Sequence, residues 1–211
     1  MEEERTQLIE RRKRGRPRSL SVEALIDAVL DDGIATFSMP TLGKRLGVAH
    51  SGLYRYVRDR EELLVLALER ISDHASWPSP ELSWRDQVLG IANTLWVICQ
   101  ERPGYAVAAM SAAVVSPGYV AGAAARVESL RGRGLDAADA IAAVEVVATL
   151  VFSASIDTDR RILRRQLDSS SGEVSAEVRG LELQSGRAHY LRQINIYADG
   201  LDGTADRPVD A

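Results

Sequence analysis

The sequence predicts an all-α protein built from two helical units. Apolar residues repeat with helical spacing through most of the chain, capping residues precede these runs, and glycine and proline separate them. Hardly any segment shows the alternation of a half-buried strand. The 211 residues are 45% hydrophobic and 27% charged, which suits a globular protein with one sizeable core or two small ones.

The first segment and the cysteine content predict a soluble, cytoplasmic protein without a membrane partner. Cys99 is the only cysteine, so no intrachain disulfide can form. Residues 1–18 are largely charged and lack the apolar run of a secretion signal. The longest apolar stretch, residues 144–156, is interrupted by polar residues and is predicted to be too short to span a bilayer.

Charge is distributed unevenly along the chain. The formal net charge is -4 overall, yet residues 11–58 hold ten basic and four acidic side chains. A basic front end in an acidic protein predicts a polyanionic partner for the N-terminal part and a different role for the rest.

The first unit is predicted to contain three helices and the start of a fourth. These helices cover residues 22 to about 33, 39–46, 49–57 and 59 to about 74. This order matches a helix-turn-helix: one helix is followed by a short helix, a glycine turn at Gly47 and a second short helix. In that motif the second helix of the pair enters the major groove of DNA. Leu53 and Val57 can then pack inward. The outward faces carry His50, Ser51, Gly52, Arg55 and Tyr56, which suit contacts to base edges and phosphates.

The second unit follows Pro78 and Pro80. Helices are predicted at 83 to about 102, on either side of Pro117 and Gly118, at 136–156, and at 187 to about 201. The predicted domains are a disordered basic arm (1–20), the helix-turn-helix domain (21–75), a regulatory and dimerisation domain (81–203) and a disordered tail (204–211).

Three stretches resemble the TetR/AcrR family of transcriptional regulators, in particular its tetracycline-repressor branch. They are Ser38-Met39 to Leu46-Gly47-Val48, Leu53-Tyr54-Arg55-Tyr56-Val57, and Arg58-Asp59-Arg60-Glu61-Glu62-Leu63-Leu64. The resemblance covers about residues 21–71. It implies that residues 49–57 are the recognition helix, that Tyr54 and Arg60 hold phosphates, and that His50, Ser51 and Arg55 face bases or backbone.

Two further positions of the second helix bear on DNA binding. Thr41, near its start, joins the DNA-facing candidates. Gly43 stands where the family commonly has alanine, which predicts packing looser by about 1 kcal/mol.

The basic arm contains Arg14-Gly15-Arg16-Pro17, which is similar to an AT-hook. Such a segment fits a narrow A·T minor groove, so Arg14, Arg16 and Arg18 are predicted DNA contacts. The alternative is a solvated basic tail that attracts DNA without sequence preference.

For the second unit, the resemblance implies a ligand-binding core and a homodimer formed through helices 136–156 and 187–201. The residue pattern favours the same dimer, because apolar surface on both helices needs to be covered. The first helix is apolar nearly all round, and the second carries an apolar stripe of Tyr190, Ile194, Tyr197 and Leu201. An internal cavity is predicted, with the candidate lining residues Trp96, Cys99, Gln100, Met110 and Phe152. The alternative is that these residues simply fill the core.

No catalytic, metal or cofactor site is predicted, since the three histidines are widely separated and no nucleotide-binding or nucleophile motif occurs. The sequence therefore predicts a non-enzymatic, homodimeric regulator, most simply a repressor that a small molecule releases from a near-palindromic operator. Two alternatives stay open: a helical small-molecule-binding or enzymatic protein without sequence-specific DNA binding, and a protein-interaction adaptor.

Overall fold

The computed structural model describes residues 20–113, 115–168 and 187–202, and these ranges contain helices and no strand. The predicted all-α fold class is confirmed. The helices of the described ranges are α1 (Val22–Asp32), α2 (Met39–Leu46), α3 (His50–Leu53), α4 (Arg60–Asp73), α5 (Trp84–Glu101), α6 (Tyr105–Ser111), α7 (Pro117–Arg131), α8 (Ala137–Asp168) and α9 (Arg187–Asp202). The predicted domain limits stay a prediction.

Helix starts in the first unit follow the capping residues that the sequence indicates. Ser21 Oγ accepts a hydrogen bond from the backbone N–H of Ala24, 3.2 Å away. Asp59 accepts in the same way from Glu62 N at 2.8 Å. Below these caps α1, α2 and α4 bury a common apolar core, with Leu25, Val29, Phe37, Leu42, Leu53 and Leu63 almost entirely shielded from solvent.

The predicted recognition helix is shorter than the sequence indicates. Regular α-helix covers only His50–Leu53, and a turn follows to Tyr56. Val57 N still donates to Leu53 O at 3.3 Å, so the backbone winds on for one more turn in looser form. The predicted segment 49–57 is therefore one continuous surface element, of which only the first half is regular helix.

In the second unit the helix order agrees with the prediction. Ser83 begins α5 by accepting from Asp86 N at 3.1 Å. Pro117 lies in the first turn of α7, where its missing N–H costs nothing, rather than between two helices. Ser116 caps that helix with a 3.0 Å bond from Tyr119 N.

The α8 helix continues to Asp168, twelve residues beyond the predicted end at Ile156. Among the described residues, its segment Ala137–Arg160 is long and apolar enough to cross a membrane by length and composition, with a mean hydropathy of 1.8. The predicted apolar stretch, residues 144–156, is shorter than this segment, because alanines before Val144 extend the apolar composition toward the N-terminal end of α8. The same segment supplies the core of the second unit through Ala140, Ala143, Val147, Val151 and Phe152. This burial accounts for the apolar residues on one side of the segment, whereas Ile141 is apolar and exposed.

The apolar stripe of α9 packs inside its own protomer. Tyr190, Ile194 and Leu201 are buried against α5 and α8, and only Tyr197 of the stripe is partly exposed. The prediction that this stripe is free to pair with a second copy is therefore wrong. The exposed apolar residue of α9 is Ile196, on the opposite face.

Candidate DNA-binding site and effector pocket

The turn between α2 and α3 depends on two glycines. Gly47 has φ +71°, the left-handed region that favours glycine, and ends α2. Gly43 lies where α3 crosses α2, and a Cβ there would come within 3.0 Å of His50 Cα and of Val48 O. The missing side chain of Gly43 allows this close approach of the two helices, and the expected loosening of the packing by Gly43 stays a prediction.

The predicted DNA-facing residues of the α3 segment share one solvent-facing surface. Leu53 and Val57 anchor the segment in the core. Tyr54 and Tyr56 are 48% and 40% exposed. The other predicted residues are exposed or half-buried: His50, Ser51, Gly52 and Arg55. This surface, from His50 to Tyr56, is called the reading surface below.

Thr41 has a structural task that its exposure does not reveal. Its hydroxyl donates to Ser38 O at 2.8 Å and accepts from Ser38 N at 3.0 Å, which completes the capping box of α2. A direct contact to DNA through that hydroxyl would compete with the cap. Thr41 remains a predicted contact at the edge of the reading surface.

Arg60 is exposed at the start of α4, but part of its side chain packs on Phe37. Residues 21–57, which contain α1, α2 and α3, are called the head below. The Nε of Arg60 donates to Phe37 O at 3.3 Å, and its guanidinium carbon lies 4.3 Å from the centroid of the Phe37 ring. The remaining N–H groups are available to a phosphate, so the geometry is compatible with the predicted role.

The acidic end of α1 is paired by a basic residue of α2. Arg45 forms ion pairs with Asp31, at 2.6 Å, and with Asp32. These two carboxylates lie at a helix C-terminus, where negative charge is unfavourable, and Arg45 offsets it. Arg55, on the reading surface, has no ion pair with any described residue.

The arm residues Arg14, Arg16 and Arg18 lie outside the described residues. Their predicted minor-groove contact stays a prediction.

In the part of the chain that the structure describes, the five residues predicted to line a cavity lie in different surroundings. Cys99 and Phe152 are core residues, and the Phe152 ring packs edge-on against Tyr105 at 6.0 Å. Trp96 packs on Tyr190 between α5 and α9, with ring centroids 4.9 Å apart. Gln100 is exposed and Met110 is 55% exposed. For Cys99 and Phe152 the geometry is that of the core-filling alternative.

Burial sets the chemistry of Cys99. It raises the pKa of the thiol to about 11, although a hydrogen bond with Ser155 acts in the opposite direction. The thiol is therefore protonated at neutral pH and is a poor nucleophile.

A cavity of about 360 Å³ lies between the C-terminal end of α4, the linker before α5, the first half of α5, and α7. Arg126 of α7 reaches into it and stacks on Trp77, with the guanidinium carbon 3.3 Å from the ring centroid. The linker is held in place because Trp77 Nε1 donates to Ser72 O at 2.8 Å. The lining residues are Ser72, Asp73, Trp77, Pro78, Pro80, Gln87, Ile91, Gly122, Ala125, Arg126 and Ser129. This cavity is called the Arg126 pocket below.

Sequence reasoning missed the Arg126 pocket because its lining residues come from four separate segments. The linker before α5 was interpreted only as a break between domains. One signal was present: Arg126 follows the run Ala123, Ala124, Ala125 in α7, and a lone cation in such a run needs a reason.

A second cavity of about 370 Å³ lies between α1, α4 and α5. Its lining is rich in charge and includes Asp27, Arg70, Glu101 and Arg102. Arg70 pairs with Asp27 at 3.6 Å, and Arg102 donates to Leu30 O at 3.4 Å. These contacts join α1 of the head to α4 and α5.

Comparison with known proteins agrees with this geometry. No protein-family model matches the chain. An HTH-type transcriptional regulator of Saccharopolyspora erythraea is 26% identical over 186 residues, which cover 87% of this chain and 76% of that protein. The crystal structure of the Streptomyces coelicolor TetR family protein ActR in complex with (S)-DNPA superposes with a TM-score of 0.71 at 22% identity, covering 88% of this chain and 98% of ActR. The chain has the TetR-family fold.

At the level of the fold, these comparisons confirm the resemblance to the TetR/AcrR family that the three sequence stretches indicate. A TetR from Acinetobacter baumannii AYE has the same fold, with a TM-score of 0.64 at 16% identity over 87% of this chain and 95% of that one. ActR has also been crystallised with actinorhodin. Within this fold, the reading surface lies in the first helical unit, and the Arg126 pocket is lined by α4, the linker before α5, α5 and α7.

Proposed function

We propose that the chain is a ligand-responsive, DNA-binding transcriptional regulator. It binds a near-palindromic operator as a cytoplasmic homodimer and represses until a small molecule releases it. The observation that supports this most is the reading surface, where polar and cationic side chains are presented to solvent over the buried anchors Leu53 and Val57. A major groove accepts an element of this size, and side chains of these types contact base edges and phosphates.

Two reading surfaces are needed for a palindrome. Successive major grooves on one side of DNA lie about 34 to 36 Å apart, so a symmetric pair must hold its two heads at that separation. The exposed apolar residues Ile141 of α8 and Ile196 of α9 favour pairing through these two helices.

Helix α4 connects the two sites within one protomer. Its first turn carries Arg60 and packs on Phe37 of the head, and its last turn carries Ser72 and Asp73, which line the Arg126 pocket. Fourteen helical residues span about 21 Å. An effector that shifts the C-terminal end of α4 therefore moves the head. If the effector binds more tightly when the two heads of the dimer have a separation that does not fit the operator, its binding releases the dimer from DNA.

Selection of bound duplexes from a random pool, followed by gel shifts with the purified chain, tests DNA recognition. Enrichment of a near-palindrome is expected, and retention of all duplexes alike would contradict the proposal. His50→Ala and Arg55→Ala should change the preferred bases at defined positions. The matched control is Arg131→Ala, which removes an exposed arginine of α7 that pairs with Glu128 at 2.8 Å.

The basic arm is proposed to add minor-groove contacts beside each major-groove site. Deletion of residues 1–18 should then reduce affinity more for operators with A·T-rich flanks than for those with G·C-rich flanks. Equal losses on both flanks would instead assign the arm to nonspecific attraction.

A further inference from the structure

The guanidinium of Arg126 is held in the pocket without a matching anion. It is half-buried and stacked on Trp77, and burial lowers its pKa. Its Nε is buried and has no hydrogen-bond partner among the described residues. Among the described residues, its Nη2 donates to the hydroxyl of Ser72 at 3.5 Å, which is the outer limit of a hydrogen bond.

No described carboxylate forms an ion pair with Arg126. Asp73 lines the same pocket and attracts the guanidinium from a distance, but it is exposed to solvent and forms no ion pair with Arg126. A partly desolvated cation with unsatisfied N–H groups is costly, and an incoming anion would satisfy it.

The shape and lining of the pocket restrict the anion. Trp77, Pro78, Pro80, Ile91 and Ala125 contribute apolar surface, which suits a flat hydrophobic body. A volume of about 360 Å³ accommodates one or two fused rings. The planar guanidinium fork matches a planar carboxylate, and the nearby charge of Asp73 disfavours a dianion such as phosphate more than a monoanion.

We propose that the Arg126 pocket binds a small planar monocarboxylic acid, whose carboxylate pairs with Arg126 and whose ring system lies against Trp77 and Ile91. The consequence that this acid is the effector rests on the proposed function of the chain. Binding of the acid would draw Arg126 away from Ser72, which lies in the last turn of α4. The loss of this contact would change the packing of α4, the helix that also carries Arg60.

Titration calorimetry on the full chain without DNA tests the pocket by itself, with 2-naphthoate and its neutral counterpart 2-naphthamide as probes. The acid should bind about 10-fold more tightly than the amide, because the amide cannot form the charge-assisted pair. Arg126→Met, which keeps an apolar stem, should abolish this preference, and Arg126→Lys should retain part of it. Arg131→Met, on the same helix but outside the pocket, should leave the affinity for the acid unchanged.

Several outcomes would overturn the assignment. Equal affinity for acid and amide, undiminished preference in Arg126→Met, or tighter binding of inorganic phosphate than of the acid would each do so. So would the absence of any heat or thermal shift with a panel of aromatic and aliphatic monocarboxylates at about 1 mM. If Arg126→Met does not fold, the comparison of acid with amide on the natural chain and on Arg126→Lys still decides the matter.

A parallel gel shift separates the pocket from the proposed function. An acid that binds through Arg126 and leaves operator affinity unchanged supports the pocket and contradicts the switch. If the chain binds the acid but shows no sequence preference for DNA, the proposed regulatory function is contradicted, while the proposed carboxylate site at Arg126 is supported.

Discussion

The guanidinium of Arg60 lies over the ring of Phe37, 4.3 Å from its centroid, while its Nε donates to the carbonyl oxygen of the same residue. One side chain thus joins the first turn of α4 to the segment that leads into α2. The predicted phosphate contact of Arg60 therefore comes with a structural role, and the two roles can be separated.

Substitution of Arg60 separates them. Arg60→Ala should weaken binding to all DNA sequences and reduce the slope of log affinity against log salt by about one unit. It should also lower the melting temperature, since a solvent-exposed cation over an aromatic ring contributes about 0.5–1 kcal/mol. Arg60→Lys should keep the salt slope and lose part of the stability. A salt slope that is unchanged in Arg60→Ala would show that Arg60 serves the fold alone.

Gly43→Ala should destabilise the head, contrary to what helix propensity alone predicts. Propensity favours alanine by about 1 kcal/mol, but the new Cβ would lie 3.0 Å from backbone atoms of Val48 and His50, which cannot rotate away. Thermal unfolding of the natural chain and of Gly43→Ala shows whether the substitution lowers or raises the melting temperature. Gly52→Ala is the matched control, because a Cβ at Gly52 meets no heavy atom within 4 Å. A higher melting temperature for Gly43→Ala would mean that the helix crossing opens at little cost.

Local signals predicted most helix starts and ends correctly, because capping and glycine effects act within a few residues. Ser21, Asp59 and Ser83 each begin a helix as their sequence pattern indicates. The end of α8 was missed, since no glycine or proline follows Ile156 and its continuation to Asp168 has no local stop.

Properties that depend on packing between distant segments could not be predicted in this way. The periodicity of α9 identified Tyr190 and Ile194 as an apolar stripe but could not say whether α5 and α8 or a second copy covers it. The Arg126 pocket likewise needs Trp77 and Arg126, which are far apart in sequence. The reading surface was predictable because one short continuous segment carries it.

Stability should fall at alkaline pH because of Cys99. The unfolded thiol ionises near its ordinary pKa of 9.0, whereas burial raises the native pKa to about 11. Between these values the unfolded state has lost the proton that the native state keeps, so rising pH favours unfolding, by on the order of 2 kcal/mol in all. Melting temperatures at pH 7, 9 and 10 should show this decline, and Cys99→Ala should show a shallower one.

Two further measurements test whether ionisation of the buried Cys99 causes the loss of stability at alkaline pH. Burial also raises the pKa of Tyr105, so part of the decline above pH 10 should persist in Cys99→Ala. A thiol reagent at neutral pH should leave Cys99 unmodified until the chain unfolds. Identical decline in both proteins between pH 9 and 10, or rapid modification of the native thiol, would contradict a buried Cys99.

Dimerisation should depend on the exposed apolar residues of α8 and α9 rather than on the buried stripe. Ile141 is 48% and Ile196 is 63% exposed in the protomer, and covering both by a second copy removes apolar surface from water. Ile196→Glu should therefore shift sedimentation toward the monomer and weaken operator binding with it. Val120→Glu is the matched control, because Val120 is 50% exposed on α7, outside the two helices. Dimers that tolerate Ile196→Glu and dissociate in Val120→Glu would assign the interface to α7 instead.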